Sequence, residues 1–421
     1  MKLQIATLLL MAAPLYAMAE TPDLMTALEA SDIAALEDLG MAETPEGRIA
    51  RGVLAALRLE DDAALSDLAL AVEDDALPAD FRRAAWGGAA GVYLRQGRFA
   101  EAAAAFEAAD AAAPETDEAR ARSTAQAYEF ARTAAGAEPM QAAVADAGEA
   151  AITRDLAGLP RADALINGAL QEAVLDTGAN YSTIMASVAE SLGVRLLEGD
   201  ISVGASGNEA VAGHIGIADT LSFAGAELTD VVFIVLPDES LSFAGGVYTI
   251  PAIIGLPVFA TLGRVSFERE GEDEWLRHTA SDAGWSDTSN LVFRGLSPIA
   301  LVEANGHPVR MFIDSGATTS HLTPLAAVQY PALLSDAVTG STEIGGAGGA
   351  RVFEDISVIP SLAVTVAGTR IELENVDVLA DSVDGRHGLI GQDILNATGG
   401  YVIDFGARRF ELLPPDGAST E

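Results

Sequence analysis

Two short stretches decide how this chain reads. "AVLDTGAN" occupies residues 173 to 180, and it returns in altered form as "MFIDSGAT" at 311 to 318. Each is an apolar run that ends in Asp, a small hydroxyl residue, Gly and Ala. Asn167-Gly168 begins nine residues before Asp176, and Asn305-Gly306 begins nine residues before Asp314. Asn-Gly between strand-like runs predicts a tight type I′ hairpin, because both central residues of that turn need positive φ. Downstream, Ile253-Ile254-Gly255 is matched by Leu389-Ile390-Gly391, so the Asp-to-Gly distance is 79 residues in one half and 77 in the other. The second half of the chain is an internal duplication.

Between these landmarks each half carries a Gly-rich segment flanked by strand residues, "ISVGASGNEAVAGHIGI" from 201 and "TEIGGAGGARVFEDISVI" from 342. Glycine-rich hairpin tips are cheap to move. Gly204, Ala205, Ser206 and Gly207, with Gly345, Gly346, Ala347 and Gly348, are therefore candidate flaps over a cleft. Each half also ends in a strand pair, "GRVSFERE" and "GGYVIDFGARRFEL". Short alternating runs rich in Val, Ile, Thr and Gly predict an all-β region.

Upstream the composition is different. Residues 20–136 are rich in Ala, Leu, Glu and Arg with apolar positions at helical spacing, which predicts an α-helical domain. Within it Trp86 and Tyr93 precede a turn at Gly97, and Phe99, Ala102, Phe106 and Ala109 mark one face of the next helix before Pro114 ends it. Residues 137–160 read as a linker, 161–286 and 287–415 as the two β lobes, and 416–421 as a tail.

The first residues read as an export signal. Lys2 is the only charge before Glu20, Ile5 to Leu15 is largely apolar, and Ala17-Met18-Ala19 fits a small-residue cleavage site. Residues 1–19 would then be removed, with a periplasmic destination expected and secretion as the alternative. There is no Cys, so core packing replaces a disulfide framework. The 62 Asp and Glu against 24 Lys and Arg give a formal net charge of −38, which repels polyanions and argues against nucleic acid. No later stretch supplies the roughly 20 apolar residues of a bilayer span.

The matched hairpins, the Asp-Thr-Gly-Ala and Asp-Ser-Gly-Ala loops, the Gly-rich segments and the Ile254-Gly255 and Ile390-Gly391 pairs together resemble retropepsin-like aspartic protease lobes. Two lobes in one chain also resemble the pepsin-like arrangement, whereas Ala179 and Ala317 stand where retropepsins commonly have Ala and pepsins Ser. The segment around Trp86 to Pro114 resembles a tetratricopeptide repeat, although Ala89 and Ala90 replace the usual Leu-Gly. The resemblance implies a double-lobed β fold behind a helical-repeat domain, and a monomer that is a pseudo-dimer.

It also implies a chemistry. Hydrolysis of a peptide bond without metal or thiol needs a water made nucleophilic while the carbonyl is polarised. Two carboxyls sharing one proton do both, since like charges about 3 Å apart cannot both ionise cheaply. Asp176 and Asp314 are the expected dyad. Thr177 and Ser315 are expected to cross-link the loops, and Gly178 and Gly316 to permit them. An extended peptide or protein would be the substrate, held by main-chain bonds to the flaps. A helical repeat could dock a protein partner. No cofactor or metal is called for, and His214, His278, His307, His321 and His387 are scattered. Helices are expected after each loop, one capped by Ser182 and stopped by Gly193, the other starting at Thr323-Pro324. The competing reading is a catalytically silent two-lobe module that binds peptides or proteins.

Overall fold

The computed structural model describes residues 23–204, 210–281, 284–346, 349–379 and 385–415. The expected signal segment 1–19, the flap residues Ala205, Ser206, Gly207, Ala347 and Gly348, and the tail 416–421 lie outside the described residues.

The Ala- and Leu-rich part forms seven helices among the described residues: α1 (Leu24–Ala30), α2 (Ile33–Gly40), α3 (Pro45–Leu57), α4 (Asp61–Val72), α5 (Ala79–Arg95), α6 (Phe99–Ala112) and α7 (Glu118–Thr133). Asp23, Asp32, Thr44 and Asp117 cap α1, α2, α3 and α7 by accepting first-turn N–H groups that would otherwise lack partners. The chain reverses between α5 and α6 at Gly97, whose φ of 70° suits glycine. Phe99, Ala102, Phe106 and Ala109 all turn inward on α6, as the spacing predicts.

Two barrel-like sheets follow. Asn167 (φ 50°) with Gly168 (φ 77°), and Asn305 (φ 47°) with Gly306 (φ 79°), form the two expected tight turns. They join Pro160–Ile166 to Ala169–Leu175 and Ser297–Ala304 to His307–Ile313. The second lobe closes around an eight-stranded sheet, whereas the first belongs to a fourteen-stranded one. The extra strands are shared. Gly400–Asp404 and Arg409–Leu413, from the end of the second half, join Arg264–Glu270 and Asp273–Thr279, from the end of the first. Phe267 stacks on Tyr401 at 4.5 Å across this seam. One continuous core therefore runs through both lobes.

Two expectations need correcting. Residues 137–160 are not simply a linker: Gln141–Val144 pairs with Ala226–Leu236, and Ala147–Arg154 pairs with Asp273–Thr279. Ala, Gly and Glu have weak intrinsic strand preference, so only the neighbouring strand edges make them strands. Nor does Ser182 cap a helix. Ser182–Met185 is a strand, the helix is Ala186–Ser191, and the Ser182 hydroxyl accepts from Gly255 N–H at 3.1 Å. Gly193 does follow that helix with φ 66°, and Thr323 with Pro324 does open the helix Pro324–Gln329.

The helical region is keyed into both lobes. Leu36, Ile49 and Leu57 share a cluster with Val292, Ile299 and Phe312 of the second lobe. Phe99, Phe130 and Ala134 share another with Ile201, Ile215 and Val232 of the first. Each such large apolar side chain contributes about 1.5–3 kcal/mol when buried. Among the described residues no helix is long and apolar enough to cross a membrane.

Candidate active site

Each apolar run is a central strand that ends one residue before its Asp. Leu175 pairs in parallel with Ile254, and Ile313 with Ile390. Asp176 N–H then donates to Ile254 O, and Asp314 N–H to Ile390 O, both at 3.0 Å. The late aliphatic pair thus fixes where each strand stops. The following glycines must be glycines: a Cβ on Gly255 would lie 2.6 Å from the Tyr181 carbonyl carbon, and one on Gly391 2.7 Å from that of Thr319.

The two loops lock together through their hydroxyls. Thr177 Oγ1 donates to Ile313 O at 3.1 Å and accepts from Ser315 N–H at 3.0 Å; Ser315 Oγ donates to Leu175 O at 2.8 Å and accepts from Thr177 N–H at 2.9 Å. Both residues are buried, so every one of these groups would be costly to leave unpaired. Each Asp carboxylate accepts from the N–H two residues on, Gly178 at 2.8 Å and Gly316 at 2.9 Å. Each carboxyl also sits over the glycine of the opposite loop. A Cβ on Gly178 would be 2.5 Å from the Asp314 carboxyl, and one on Gly316 2.5 Å from that of Asp176. The absent side chains leave the space in which the two acids meet.

Asp176 and Asp314 stand beside one another where the two loops meet. Burial pushes both carboxyls above the ordinary carboxylate range, and the neighbouring Asp176 charge pushes Asp314 further. Such a pair loses its two protons in separate steps that belong to the dyad as a whole. One carboxylate can take a proton from water while the other donates to a carbonyl.

The flap candidates are placed unequally. Ile201–Val203 pairs with the start of Val211–Phe223, and its base lies on α7: Ser202 N–H donates to Glu129 Oε2 at 2.9 Å, and Gly204 faces Gln126. Val338–Gly346 pairs with Gly349–Val366 as a longer hairpin, where a Cβ on Gly345 would meet open space.

Several residues around the loops escaped the sequence reading. Tyr181 stacks on Phe130 at 4.3 Å and donates from its hydroxyl to Leu94 O at 3.3 Å, tying the end of the first loop to the helices. Its signal was a Tyr where the second half has Thr319. Gln392 donates from its amide to Ser315 O at 2.6 Å, and Asp393 holds Ser320 N–H at 2.9 Å. Their signal was the Gln-Asp that follows Gly391 where Leu256-Pro257 follows Gly255. Among the described residues no group of three or more His or acidic side chains is arranged to hold a metal ion.

Residues 162–258 match the family model described as aspartyl protease, and residues 300–397 match the one described as gag-polyprotein putative aspartyl protease. Comparison with curated proteins returns no match. Among solved structures, a retropepsin-like aspartic protease from Rickettsia conorii is similar at 16% identity and a TM-score of 0.24, covering 34% of this chain and 98% of that one. Behind its N-terminal helical region, the chain carries in tandem two segments that match aspartyl protease family models.

Proposed function

We propose that the protein is an aspartic endopeptidase in which Asp176 and Asp314 activate one water between two lobes of a single chain. The observation that supports this most is the contact between two carboxyls of raised proton affinity, held by four reciprocal hydrogen bonds between their loops. A dyad of this kind would let one acid act as base and the other as acid in the same step. Thr177 and Ser315 hold the loops, and the glycines clear the contact. The substrate is an extended peptide or protein segment lying across the two hairpins. Because the helices share cores with both lobes, a protein partner would dock on their outer faces.

We also propose export after cleavage near Ala19 and action as a monomer in the periplasm, since the second Asp loop supplies within the chain what a second subunit would otherwise bring. The test is cleavage of a diverse peptide library by residues 20–421 from about pH 4 to pH 8, beside Asp176→Asn and Asp314→Asn. Cleavage lost in both variants supports the dyad. A folded wild type that cleaves nothing across that range overturns it and favours a silent peptide-binding module.

A further inference from the structure

The loop that carries Asp314 is backed by a hydrogen-bond chain that the loop carrying Asp176 lacks. It begins at Arg154, on the strand Ala147–Arg154. Its Nε donates to Glu274 Oε2 at 2.8 Å, Nη1 to Gly158 O at 3.1 Å and Gln392 Oε1 at 2.7 Å, and Nη2 to Glu274 Oε2 at 2.6 Å and Asn396 Oδ1 at 2.9 Å. All the guanidinium N–H groups are used, so the fork is fixed in place. The Gln392 amide is oriented unambiguously by this cation and by Asn396, which also donates to Gln392 Oε1 at 2.6 Å. Its Nε2 then donates to Ser315 O.

The Ser315 carbonyl belongs to the same peptide unit as the Gly316 N–H, which donates to Asp314 Oδ1. The links therefore run in one direction, from a cation through an amide and a peptide to a carboxyl. In such a chain each bond polarises the next and strengthens the donor at its end. In the first lobe Leu256 stands in the place of Gln392: Leu256 N–H donates to Ala179 O at 2.9 Å as Gln392 N–H donates to Ala317 O at 2.9 Å. Leucine has no side-chain donor, so the mirrored chain cannot form.

We infer that Arg154 and Gln392 are positioning residues that act through the Ser315–Gly316 peptide to hold down the proton affinity of Asp314, by a route that the Asp176 loop lacks. This rests on the dyad reading above. The other ionisable groups facing the chain are Asp176 across the dyad, Glu274 paired with Arg154, Arg269 at 3.6 Å from Glu274, and the buried phenol of Tyr401, which burial keeps neutral. Among the described residues, it is the Arg154 route that reaches the Gly316 N–H through hydrogen bonds.

The decisive experiment follows the Asp314 carboxyl by ¹³C NMR during a pH titration of residues 20–421, the signal being identified by its loss in Asp314→Asn. Wild type is compared with Gln392→Leu, which copies the first lobe, and with Arg154→Gln. Both variants should move the Asp314 midpoint upward by about half a pH unit, as expected when one donor in a cooperative chain is weakened. The acid limb of the cleavage profile should move with it. An unchanged midpoint in folded Gln392→Leu overturns the inference, and so does a shift seen in Arg154→Gln alone, which would mean that the charge acts through space. Because the titration does not depend on turnover, a wild type without activity would sink the dyad reading while the midpoints still decide this one.

Discussion

The two lobes perform the same construction with different supports. In both, an Asn-Gly hairpin feeds a buried strand that stops at Asp because an aliphatic residue from a parallel strand accepts its N–H. Around that shared frame the first lobe is held by apolar contact with the helices, through Tyr181 on Phe130 and Ile201 beneath α7. The second shares an apolar cluster with the helices as well, and its Asp loop is held besides by polar groups, through Arg154, Gln392 and Asp393. What the chemistry of a dyad requires of both halves is the same in both, and what only one neighbour can supply differs.

The largest expected effects test the shared frame. Asp176→Asn and Asp314→Asn should each lower kcat/KM by roughly 10³-fold or more, and by similar factors, since each removes an acid–base partner. Very different losses would mean that the lobes are not chemically equivalent. The same substitutions should help stability at neutral pH. Both acids have folded proton affinities above their unfolded ones, so the folded state binds more protons there, and stability falls as pH rises above the usual carboxylate range. Thermal melting from acidic to neutral pH should show this fall in wild type and a shallower one in either Asn variant.

Next come the glycines. Gly178→Ala or Gly316→Ala places a Cβ 2.5 Å from the opposite carboxyl, so the acids must part. A displacement on that scale should cost about 10²-fold in turnover. Steady-state kinetics on either variant would sharpen the symmetry, and a variant with wild-type turnover would break it.

Phe130→Ala tests the asymmetry. Removing a buried Phe costs about 3–5 kcal/mol, read from the urea midpoint. Hydrogen exchange should quicken in Ile201–Val203 and Tyr181 and stay unchanged in Val338–Gly346. Equal quickening in both hairpins would mean that the helices steady the whole molecule rather than the first lobe.

Thr177→Val and Ser315→Ala each strand buried N–H or C=O groups, and each should cost about 1–3 kcal/mol in denaturant unfolding. Because the four bonds are reciprocal, the two costs should agree.

The smallest effect separates the lobes by pH. His387, buried where the first half has Pro251, accepts from Arg310 N–H at 2.9 Å and faces Gln329 at 2.8 Å, and burial followed by the Arg310 charge lowers its pKa to about 4. The unfolded state takes up a proton near the ordinary histidine pKa while the folded state refuses it, so stability falls as pH drops from about 6.5 toward 4. This opposes the dyad. His387→Gln should flatten the acid side of the melting profile; an unaltered profile would rule the histidine out as its cause.

Much of this was legible in the sequence for a physical reason. Type I′ turns need Asn-Gly, buried strands need apolar runs, and a close loop contact needs glycine, so Asp176, Asp314, Gly178, Gly316, Gly255 and Gly391 carry local or duplicated signals. The helical composition of residues 20–136 was equally plain. Tertiary structure alone decided the rest. Ala147–Arg154 became a strand because an edge was waiting for it, and the C-terminal hairpin crossed to the first half because its partner strands lay there. Which side chain would meet the Ser315 carbonyl, and that Phe130 would meet Tyr181, depended on contacts between residues tens to hundreds of positions apart. No local pattern encodes such pairs, since burial and hydrogen-bond satisfaction are properties of the assembled core.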